Sequence, residues 1–403
     1  MSARDLPFLI VGAGIGGLSA ALSLARAGFP VHVLEQASEL KEIGAGIQLG
    51  PNVFRMFDVL GIMDAVARQS VFPDRYQIMD AVTGEELTHM PLGASCRERY
   101  GYPYGVTHRH DVHQSLVDAV RAADIQITLN CRIVEFTDDG RTVAAMSDDG
   151  RVMRGRALIG ADGIRSKVRE VLKKGEPDPL SPGLMAARSV PDLQTVPEEV
   201  RPHRITIWLG PRCHTIYYPL RSGTILNLAC VFEVDQSRDM SDWNMDQELR
   251  KTYGGQHSTI QKLLPLLEER RYAAGTERVP TKEWSRGRVT LLGDAAHVMT
   301  QNMAQGGAMA VEDAVVLADK VLNSSDDIAA AFLSYQNERY LRTTRVQLSA
   351  RFYGEVMHMV GAERDLRNAM FKSLSPEKNL EAFAWLYQGL EVSEKAARVF
   401  GRR

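Results

Sequence analysis

Four glycines and one acidic residue near the start of the chain have the spacing of a phosphate-binding turn. Gly12, Gly14 and Gly17 form the pattern G-x-G-x-x-G, Gly16 lies inside it, and Glu35 follows 18 residues after Gly17. In such a turn the first glycine permits a tight bend, the second lets the backbone approach a pyrophosphate, and the third lets a helix pack closely on a strand. The carboxylate of Glu35 can accept hydrogen bonds from an adenosine ribose but would repel a 2′-phosphate. The spacing therefore predicts a site for a dinucleotide such as FAD or NAD.

Two further acidic residues follow short apolar runs that we predict to be strands. Asp162 comes after Ala157–Ile159 in the sequence IGADGIRS, and Asp294 follows Val289–Leu292 in the sequence GDAAH. In open α/β sheets, ligands bind at the carboxyl ends of the strands. Both aspartates are therefore candidates for holding cofactor hydroxyl groups, and capping of the next helix is the alternative for each.

A third candidate site lies on a predicted strand in the middle of the chain. Alternate residues of a strand share a face, so within Cys213–Tyr218 the side chains of His214, Ile216 and Tyr218 point the same way. Proton transfer needs a group whose pKa lies near the working pH, and histidine is the usual choice. The pair predicts acid–base chemistry, while a structural role for each ring is the alternative.

These motifs require particular elements to position them. We predict a strand at Pro7–Val11, a helix at Leu18–Ala27 and a strand at Val31–Leu34, which form a Rossmann-like unit around the glycine turn. Short β-rich runs near residues 76–91 and within residues 205–232 predict an antiparallel sheet in a second domain.

The predicted fold is α/β, with a Rossmann-like dinucleotide-binding domain, a discontinuous antiparallel-sheet substrate domain and C-terminal helices. The helical pattern begins after Gly306 and includes a helix capped by Asp326 or Asp327. The expected boundaries are 1–75, 106–180 and 276–350 for the first domain, 76–105 and 181–275 for the second, and 351–403 for the C-terminal helical segment.

Composition and charge exclude several other classes of protein. Lys and Arg total 48 against 50 Asp and Glu, so the chain has no excess positive charge with which to bind nucleic acid. The cysteines lack C-x-x-C spacing, so we expect no metal site, and free thiols favour a cytoplasmic location. The uncharged segment Leu6–Ala25 is interrupted by glycines, which favours a buried strand, turn and helix over a membrane span.

The three motifs, in this order and separation, resemble those of the flavin-dependent aromatic hydroxylases, which are single-component flavoprotein monooxygenases. The resemblance implies resident FAD, with Asp294 at its ribityl chain and the turn around Asp162 supporting both FAD and a passing nicotinamide. It also implies that Arg109, in the sequence VTHRHD, contacts the flavin. Gly306 and Gly307 resemble the backbone donors to the pyrimidine edge of the isoalloxazine.

One branch of these enzymes is especially similar. The segment Gly210–Arg221 resembles the 3-hydroxybenzoate 6-hydroxylase branch, in which His and Tyr at the positions of His214 and Tyr218 face the substrate hydroxyl. The sequences GAGIQ, which contains Ala45 and Gln48, and Thr300-Gln301 resemble that branch too. The resemblance places Ala45 at the cofactor and Gln48 and Gln301 near the ring and carboxylate of the substrate, and a core or solvent-facing amide is the alternative for each glutamine.

Two residues depart from the pattern of the family. Val298 stands after GDAAH where proline is usual, which leaves the stiffness of the flavin-facing turn open. Asn302 stands where we expect an aromatic residue, so a hydroxypyridine carboxylate such as 6-hydroxynicotinate, or salicylate, remains an alternative substrate.

The resemblance implies a reaction as well as a fold. NADH or NADPH would reduce FAD, O2 would add at the flavin C4a carbon, and the hydroperoxide would hydroxylate a phenolic aromatic acid, in the leading hypothesis 3-hydroxybenzoate, para to its hydroxyl. His214 and Tyr218 are both candidates for the base that removes the phenol proton. Alternatives of other classes are an NAD-dependent dehydrogenase and a flavin-binding protein without turnover. A homodimer is the oligomeric state that the resemblance suggests.

Overall fold

The structure is a computed structural model of the 403-residue chain, and it describes residues 4–41, 44–201, 203–235, 244–267 and 271–401. Within these ranges the strands are β1 (Phe8–Val11), β2 (Val31–Leu34), β3 (Gly46–Leu49), β4 (Arg75–Asp80), β5 (Glu86–Pro91), β6 (Gly105–His108), β7 (Gln126–Thr128), β8 (Ile133–Asp138), β9 (Val143–Ser147), β10 (Val152–Gly155), β11 (Ala157–Gly160), β12 (Leu184–Ser189), β13 (Ile205–Gly210), β14 (Cys213–Leu220), β15 (Ile225–Glu233), β16 (Arg271–Ala274), β17 (Ser285–Arg286) and β18 (Val289–Leu291). The α-helices are α1 (Ile15–Arg26), α2 (Pro51–Leu60), α3 (Met63–Gln69), α4 (Gly93–Tyr100), α5 (Arg109–Ala122), α6 (Lys167–Leu172), α7 (Met245–Tyr253), α8 (Ser258–Leu263), α9 (Asp294–His297), α10 (Gly306–Asn323), α11 (Ile328–Met357), α12 (Gly361–Ser373), α13 (Pro376–Ala382), α14 (Ala384–Tyr387) and α15 (Glu394–Phe400).

The first sheet has the order β17-β18-β11-β1-β2-β7, and every pair except β17 with β18 is parallel. The strands β1 and β11 are buried along their whole length because they pack against the helices α1 and α6 and against the strands β9 and β10 of a small antiparallel sheet. This confirms the predicted Rossmann-like unit. Helix α1 begins at Ile15, three residues before the predicted start, so the last glycines of the motif form its first turn.

The second sheet has the order β16-β12-β15-β14-β13-β4-β5. It is antiparallel, as predicted, except that β13 pairs with β4 in parallel. That parallel pair joins the two separate stretches of chain into one sheet, because β4 and β5 precede the other strands by about a hundred residues of sequence. The remaining strands form two smaller sheets, with the orders β10-β9-β8 and β3-β6.

Helices α10 and α11 follow the last parallel strand; α10 packs against α1, and α11 packs against α10 and the strands β17 and β18. Asp327 is the N-cap of α11, and its side chain accepts a hydrogen bond from the backbone N–H of Ala330 at 2.9 Å. The helix runs unbroken through residue 350, where we expected a domain boundary, and it ends at Met357. The domain boundaries stay a prediction.

Two expectations from composition can be compared with the described part of the chain. Cys96, Cys131, Cys213 and Cys230 are buried and form no disulfide. Among the described residues no helix is both long and apolar enough to cross a membrane, and no group of His, Cys, Asp and Glu there is arranged to hold a metal ion.

Candidate active site

A large cavity lies between the first sheet, the inner face of the second sheet and the C-terminal helices. Its volume is about 1690 Å³, which exceeds the roughly 300–1000 Å³ usual for a small-ligand pocket. Most of the predicted site residues line it: His214, Tyr218, Gln48, Gln301, Gly14, Gly16, Ala45, Arg109, Asp294, Gly306 and Gly307. The cavity is therefore large enough for a dinucleotide together with a second small molecule.

The glycine turn fits a pyrophosphate sterically. A Cβ at Gly12 would lie 2.5 Å from the carbonyl oxygen of Ala161, and a Cβ at Gly17 would overlap with the carbonyl oxygen of Gly12. These two glycines are required by the protein's own packing. A Cβ at Gly14, in contrast, meets no described atom within 4 Å and would project into open space beside the N-terminus of α1. Unpaired N–H groups at such a terminus attract phosphate.

Glu35 supports this turn from the end of β2. Its Oε2 accepts a hydrogen bond from the N–H of Ala13 at 2.6 Å, and its Oε1 accepts one from Ala37 at 2.8 Å. The opposite side of the turn is held by His113, whose Nε2 lies 2.8 Å from the Ala13 carbonyl oxygen. Glu35 does not itself line the cavity, and its contact with a ribose stays a prediction.

Asp294 begins α9 at the carboxyl end of β18 and lies beside the N-terminus of α10. Its carboxylate accepts no hydrogen bond from the described residues, and a Cβ at Gly306 would lie 3.7 Å from its Oδ1. Burial raises the pKa of Asp294, while the charges of His297 and Arg109 oppose that rise. An acceptor without a protein donor, next to the free N–H groups of a helix terminus, suits a hydroxyl-bearing chain and the ring to which it is attached.

Asp162 lies outside the cavity wall and caps a helix. Its Oδ2 accepts hydrogen bonds from the N–H groups of Lys167 at 2.7 Å and Val168 at 3.1 Å, and its Oδ1 accepts one from the Ser166 hydroxyl. The capping alternative thus accounts for its side chain. The rest of its turn does reach the cavity, through residues 161, 163 and 164.

Arg109 and Ala45 come together where β3 pairs with β6. The N–H of Arg109 donates to the carbonyl oxygen of Ala45 at 3.0 Å, and the Arg109 side chain packs 3.1 Å from the position of a Cβ at Gly44. One residue further on, a Cβ at Gly46 would lie 2.8 Å from the Tyr218 hydroxyl. The glycine therefore lets the predicted flavin loop contact the second sheet directly.

His214 forms part of the cavity wall on β14, and its partner was not predicted. Its Nδ1 lies 2.8 Å from Nε2 of His358, the C-cap residue of α11. Burial is the main reason that the pKa of His214 is well below its usual value, and the charges of His358 and Arg188 lower it further. The ring is therefore neutral near pH 7, and Nε2 is the nitrogen left for a ligand.

Tyr218 has the opposite electrostatic character. Burial raises its pKa, although Arg188 and a hydrogen bond with Gln48 act in the other direction. Tyr218 therefore keeps its proton at neutral pH and can donate a hydrogen bond. Gln48 also accepts a hydrogen bond from the Tyr104 hydroxyl at 2.7 Å. His214 and Tyr218 thus differ in protonation state at neutral pH, and which of them acts as a base stays a prediction.

Arg188 is a cavity residue that the sequence analysis missed. It lies on β12, where Leu184, Ala186 and Arg188 alternate along the cavity wall. Its guanidinium donates to Oε1 of Gln301, and its Nε has no partner among the described residues. The signal was present in the sequence, because one arginine interrupts the apolar face of a strand. Arg188 gives the cavity a cation beside the two rings.

Both departures from the family pattern have structural explanations. Val298 has φ of −51°, close to the value that proline would impose, and its carbonyl oxygen accepts a hydrogen bond from Gln347 at 3.0 Å. Asn302 donates from Nδ2 to the carbonyl oxygen of Ala350 at 3.0 Å, while its Oδ1 is buried with no partner among the described residues. The turn is thus held by α11 instead of by a proline ring.

Comparison with known proteins agrees with this geometry. A family model described as "FAD binding domain" matches residues 5–349, and the chain belongs to that family. A 3-hydroxybenzoate 6-hydroxylase from Polaromonas naphthalenivorans (strain CJ2) is 41% identical over 388 residues, which is 95% of this chain and 96% of that relative. A 6-hydroxynicotinate 3-monooxygenase from Bordetella bronchiseptica is 36% identical over 348 residues, 84% of this chain and 88% of that relative.

Solved structures share the same architecture. HpxO from Klebsiella pneumoniae, in complex with FAD and uric acid, has a TM-score of 0.84 at 26% identity and covers 95% of this chain and 97% of its own. A salicylate hydroxylase substrate complex has a TM-score of 0.82 at 23% identity over 99% and 98% of the two chains, a likeness that shows the fold. The chain is an FAD-dependent aromatic monooxygenase, as the sequence predicted.

Proposed function

We propose that the protein hydroxylates 3-hydroxybenzoate, or a close phenolic acid, para to the existing hydroxyl, using O2 and either NADH or NADPH. The observation that carries the proposal is the grouping of His214, Tyr218 and Arg188 on one face of the second sheet. A neutral base, a hydroxyl donor and a cation match a phenol that also bears a carboxylate.

The residues of the glycine turn fit FAD as the resident dinucleotide. Gly14 and the α1 terminus would hold the pyrophosphate, Asp294 the ribityl chain, and Gly306 with Gly307 the edge of the flavin ring. When bound, FAD supplies the activated oxygen that the protein alone cannot generate. The family membership favours FAD over NAD here, which argues against the dehydrogenase alternative.

The protein's own contribution is to orient the substrate and to handle its proton. His214 Nε2 would accept the proton of the phenol, and the Tyr218 hydroxyl would donate to the resulting phenolate oxygen. Arg188, presented with Gln301, would bind the carboxylate. Deprotonation makes the ring electron-rich, which an electrophilic hydroxylation requires.

A panel of 3-hydroxybenzoate, salicylate and 6-hydroxynicotinate tests the substrate. Purified holoprotein should convert 3-hydroxybenzoate to the 2,5-dihydroxy product, identified by NMR and mass spectrometry, with stoichiometric O2 uptake and NAD(P)H oxidation. NAD(P)H oxidation that ends only in peroxide does not count as turnover. A catechol product from 3-hydroxybenzoate would contradict the para position. No hydroxylated product from 3-hydroxybenzoate would contradict the substrate assignment and would favour another substrate or a non-hydroxylating role.

A hydroxypyridine carboxylate is the second candidate substrate. Asn302 places a polar side chain in the wall of the cavity. The 36% identity to a 6-hydroxynicotinate 3-monooxygenase agrees with this alternative. Higher kcat/KM for 6-hydroxynicotinate than for 3-hydroxybenzoate, lost in Asn302→Leu, would favour it.

A further inference from the structure

Three ionisable side chains connect the cavity wall to the protein surface. His214 Nδ1 lies 2.8 Å from His358 Nε2, within hydrogen-bond distance. The other ring nitrogen of His358, Nδ1, lies 3.4 Å from Oε1 of Glu233, an ion-pair distance without hydrogen-bond geometry. Both histidines are buried, whereas the Glu233 side chain is 40% exposed. These residues, here called the histidine chain, come from β14, the end of α11 and the end of β15.

We propose that the histidine chain carries the phenol proton from the substrate site to solvent, with His358 and Glu233 acting through His214. The inference rests on the proposed function, because it requires a substrate proton at His214. His358 and Glu233 are positioning residues, since neither lines the cavity wall at the substrate.

The transfer balances without any further reactant. The phenol O–H bond breaks and a bond forms from its hydrogen to His214 Nε2. The hydrogen on His214 Nδ1 then moves to His358 Nε2. The partly exposed Glu233 side chain turns to accept the hydrogen from His358 Nδ1 and releases it to water. Both imidazoles end neutral in the other tautomer, and the reverse sequence returns a proton to the product phenolate.

The surroundings of His214 favour onward transfer of the proton over its retention on the imidazole. Burial, together with the charges of His358 and Arg188, lowers the pKa of His214, so its doubly protonated form is unfavourable. The contact with His358 lowers the pKa of Glu233, and Arg212 contributes in the same direction, so that residue is a carboxylate at neutral pH.

The other groups around His214 cannot replace this route. Arg188, on β12, remains protonated and has no acceptor atom. The Tyr253 hydroxyl, on α7, donates to the backbone carbonyl oxygens of His214 and Val231 at 2.9 and 2.8 Å. Tyr218 keeps its own proton because burial raises its pKa. His358 is thus the titratable group in contact with the inner nitrogen of His214.

Proton release on substrate binding tests the histidine chain without catalytic turnover. Oxidised holoprotein, with no NAD(P)H present, is mixed with 3-hydroxybenzoate in weak buffer containing a pH indicator, while phenolate absorbance is followed separately. In the wild type, phenolate formation and proton release should coincide. His358→Gln and Glu233→Gln should each slow the release by about 10-fold or more, short of the about 10²–10⁴-fold usual for loss of a base itself. Added imidazole should restore the rate in His358→Ala.

A matched variant controls for nonspecific effects of charge. Glu355→Gln removes an exposed acid from the last turn of the same helix and should release the proton at the wild-type rate. Retained flavin absorbance shows that each variant is folded. Wild-type release rates in both His358→Gln and Glu233→Gln would overturn the histidine chain alone. Absence of phenolate in the wild type would overturn both the proposed function and the proposed role of the histidine chain.

Discussion

At the scale of single residues, His214 and Tyr218 share a strand face but differ in protonation state. The pKa of His214 is well below its usual value of 6.5, so its imidazole is neutral and able to accept a proton at neutral pH. We predict that His214→Ala lowers the rate of product formation by about 10²–10⁴-fold while FAD stays bound. Single-turnover kinetics with reduced holoprotein and O2 measure this rate, and NAD(P)H-dependent flavin reduction should be much less affected.

Tyr218→Phe provides the comparison within the same strand. Because Tyr218 donates a hydrogen bond and does not accept a proton, its removal should cost about tenfold, in line with one hydrogen bond to a charged oxygen. Equal losses in the two variants would mean that the strand face, not the base, is damaged. Normal product formation in His214→Ala would show that His214 is a packing residue.

Arg188 has a role that depends on the charge of the substrate. Arg188→Gln should raise KM for 3-hydroxybenzoate about 10- to 100-fold, because a hydrogen bond to a charged group contributes about 1.5–3 kcal/mol. The KM for uncharged 3-hydroxybenzyl alcohol should change little. Arg154→Gln, which removes an exposed arginine from β10, is the control. If both substrates lose affinity equally, the side chain supports packing and does not bind the carboxylate.

These residues also show what the sequence could and could not predict. His214 and Tyr218 were found because strand periodicity is local, and their shared cavity face follows from it. His358 lies 144 residues away at a helix end, and no local pattern relates the two histidines. Asp162 was also identified from its motif, but its side chain caps α6. The sequence could not separate cofactor binding from helix capping, because both roles place an aspartate at the end of a strand.

At the scale of elements, the glycine turn separates residues needed for folding from those needed for the cofactor. We predict that Gly14→Ala leaves the melting temperature of the FAD-free protein unchanged, because the added methyl meets no described atom. FAD affinity should fall by about 10-fold or more, since the methyl would occupy the path of the pyrophosphate. Fluorescence titration with FAD measures the affinity.

Gly17→Ala is the matched control for this element. Its methyl would overlap with the Gly12 carbonyl oxygen, so it should lower the melting temperature of the FAD-free protein as well as FAD binding. Unchanged FAD affinity in Gly14→Ala would mean that the pyrophosphate does not approach the turn at that residue. The elements themselves were well predicted, because buried parallel strands and their glycine turns have strong local patterns.

At the scale of the whole molecule, a buried ionic cluster joins the helical layer to the Asp294 turn. Arg339, on α11, donates to Asp313 at 2.6 Å and to Glu312 at 2.8 Å, and both acids lie on α10. Asp313 also contacts His297 Nε2 at 2.6 Å and accepts from the N–H of Gly293 at 3.0 Å. These long-range pairs were not predictable from local patterns, although they fix the turn that carries Asp294.

Asp313 should therefore control both stability and its dependence on acid. Burial alone would raise its pKa, but the charges of His297 and Arg339, with their hydrogen bonds, hold it at about 2. A depressed pKa stabilises the fold above the ordinary value of 3.8, and this stabilisation is lost as pH falls towards about 2. Asp313→Asn removes the anion that contacts His297 and one of the two anions that contact Arg339, and it should lower the free energy of unfolding by about 3–5 kcal/mol at pH 7. Urea unfolding measures the free energy of unfolding of both proteins, and the difference between wild type and variant should become smaller below about pH 4. Asp326→Asn, which changes an exposed acid, is the control and should unfold with the wild-type free energy. A loss of stability in Asp313→Asn that does not depend on pH would contradict the role given to the Asp313 carboxylate.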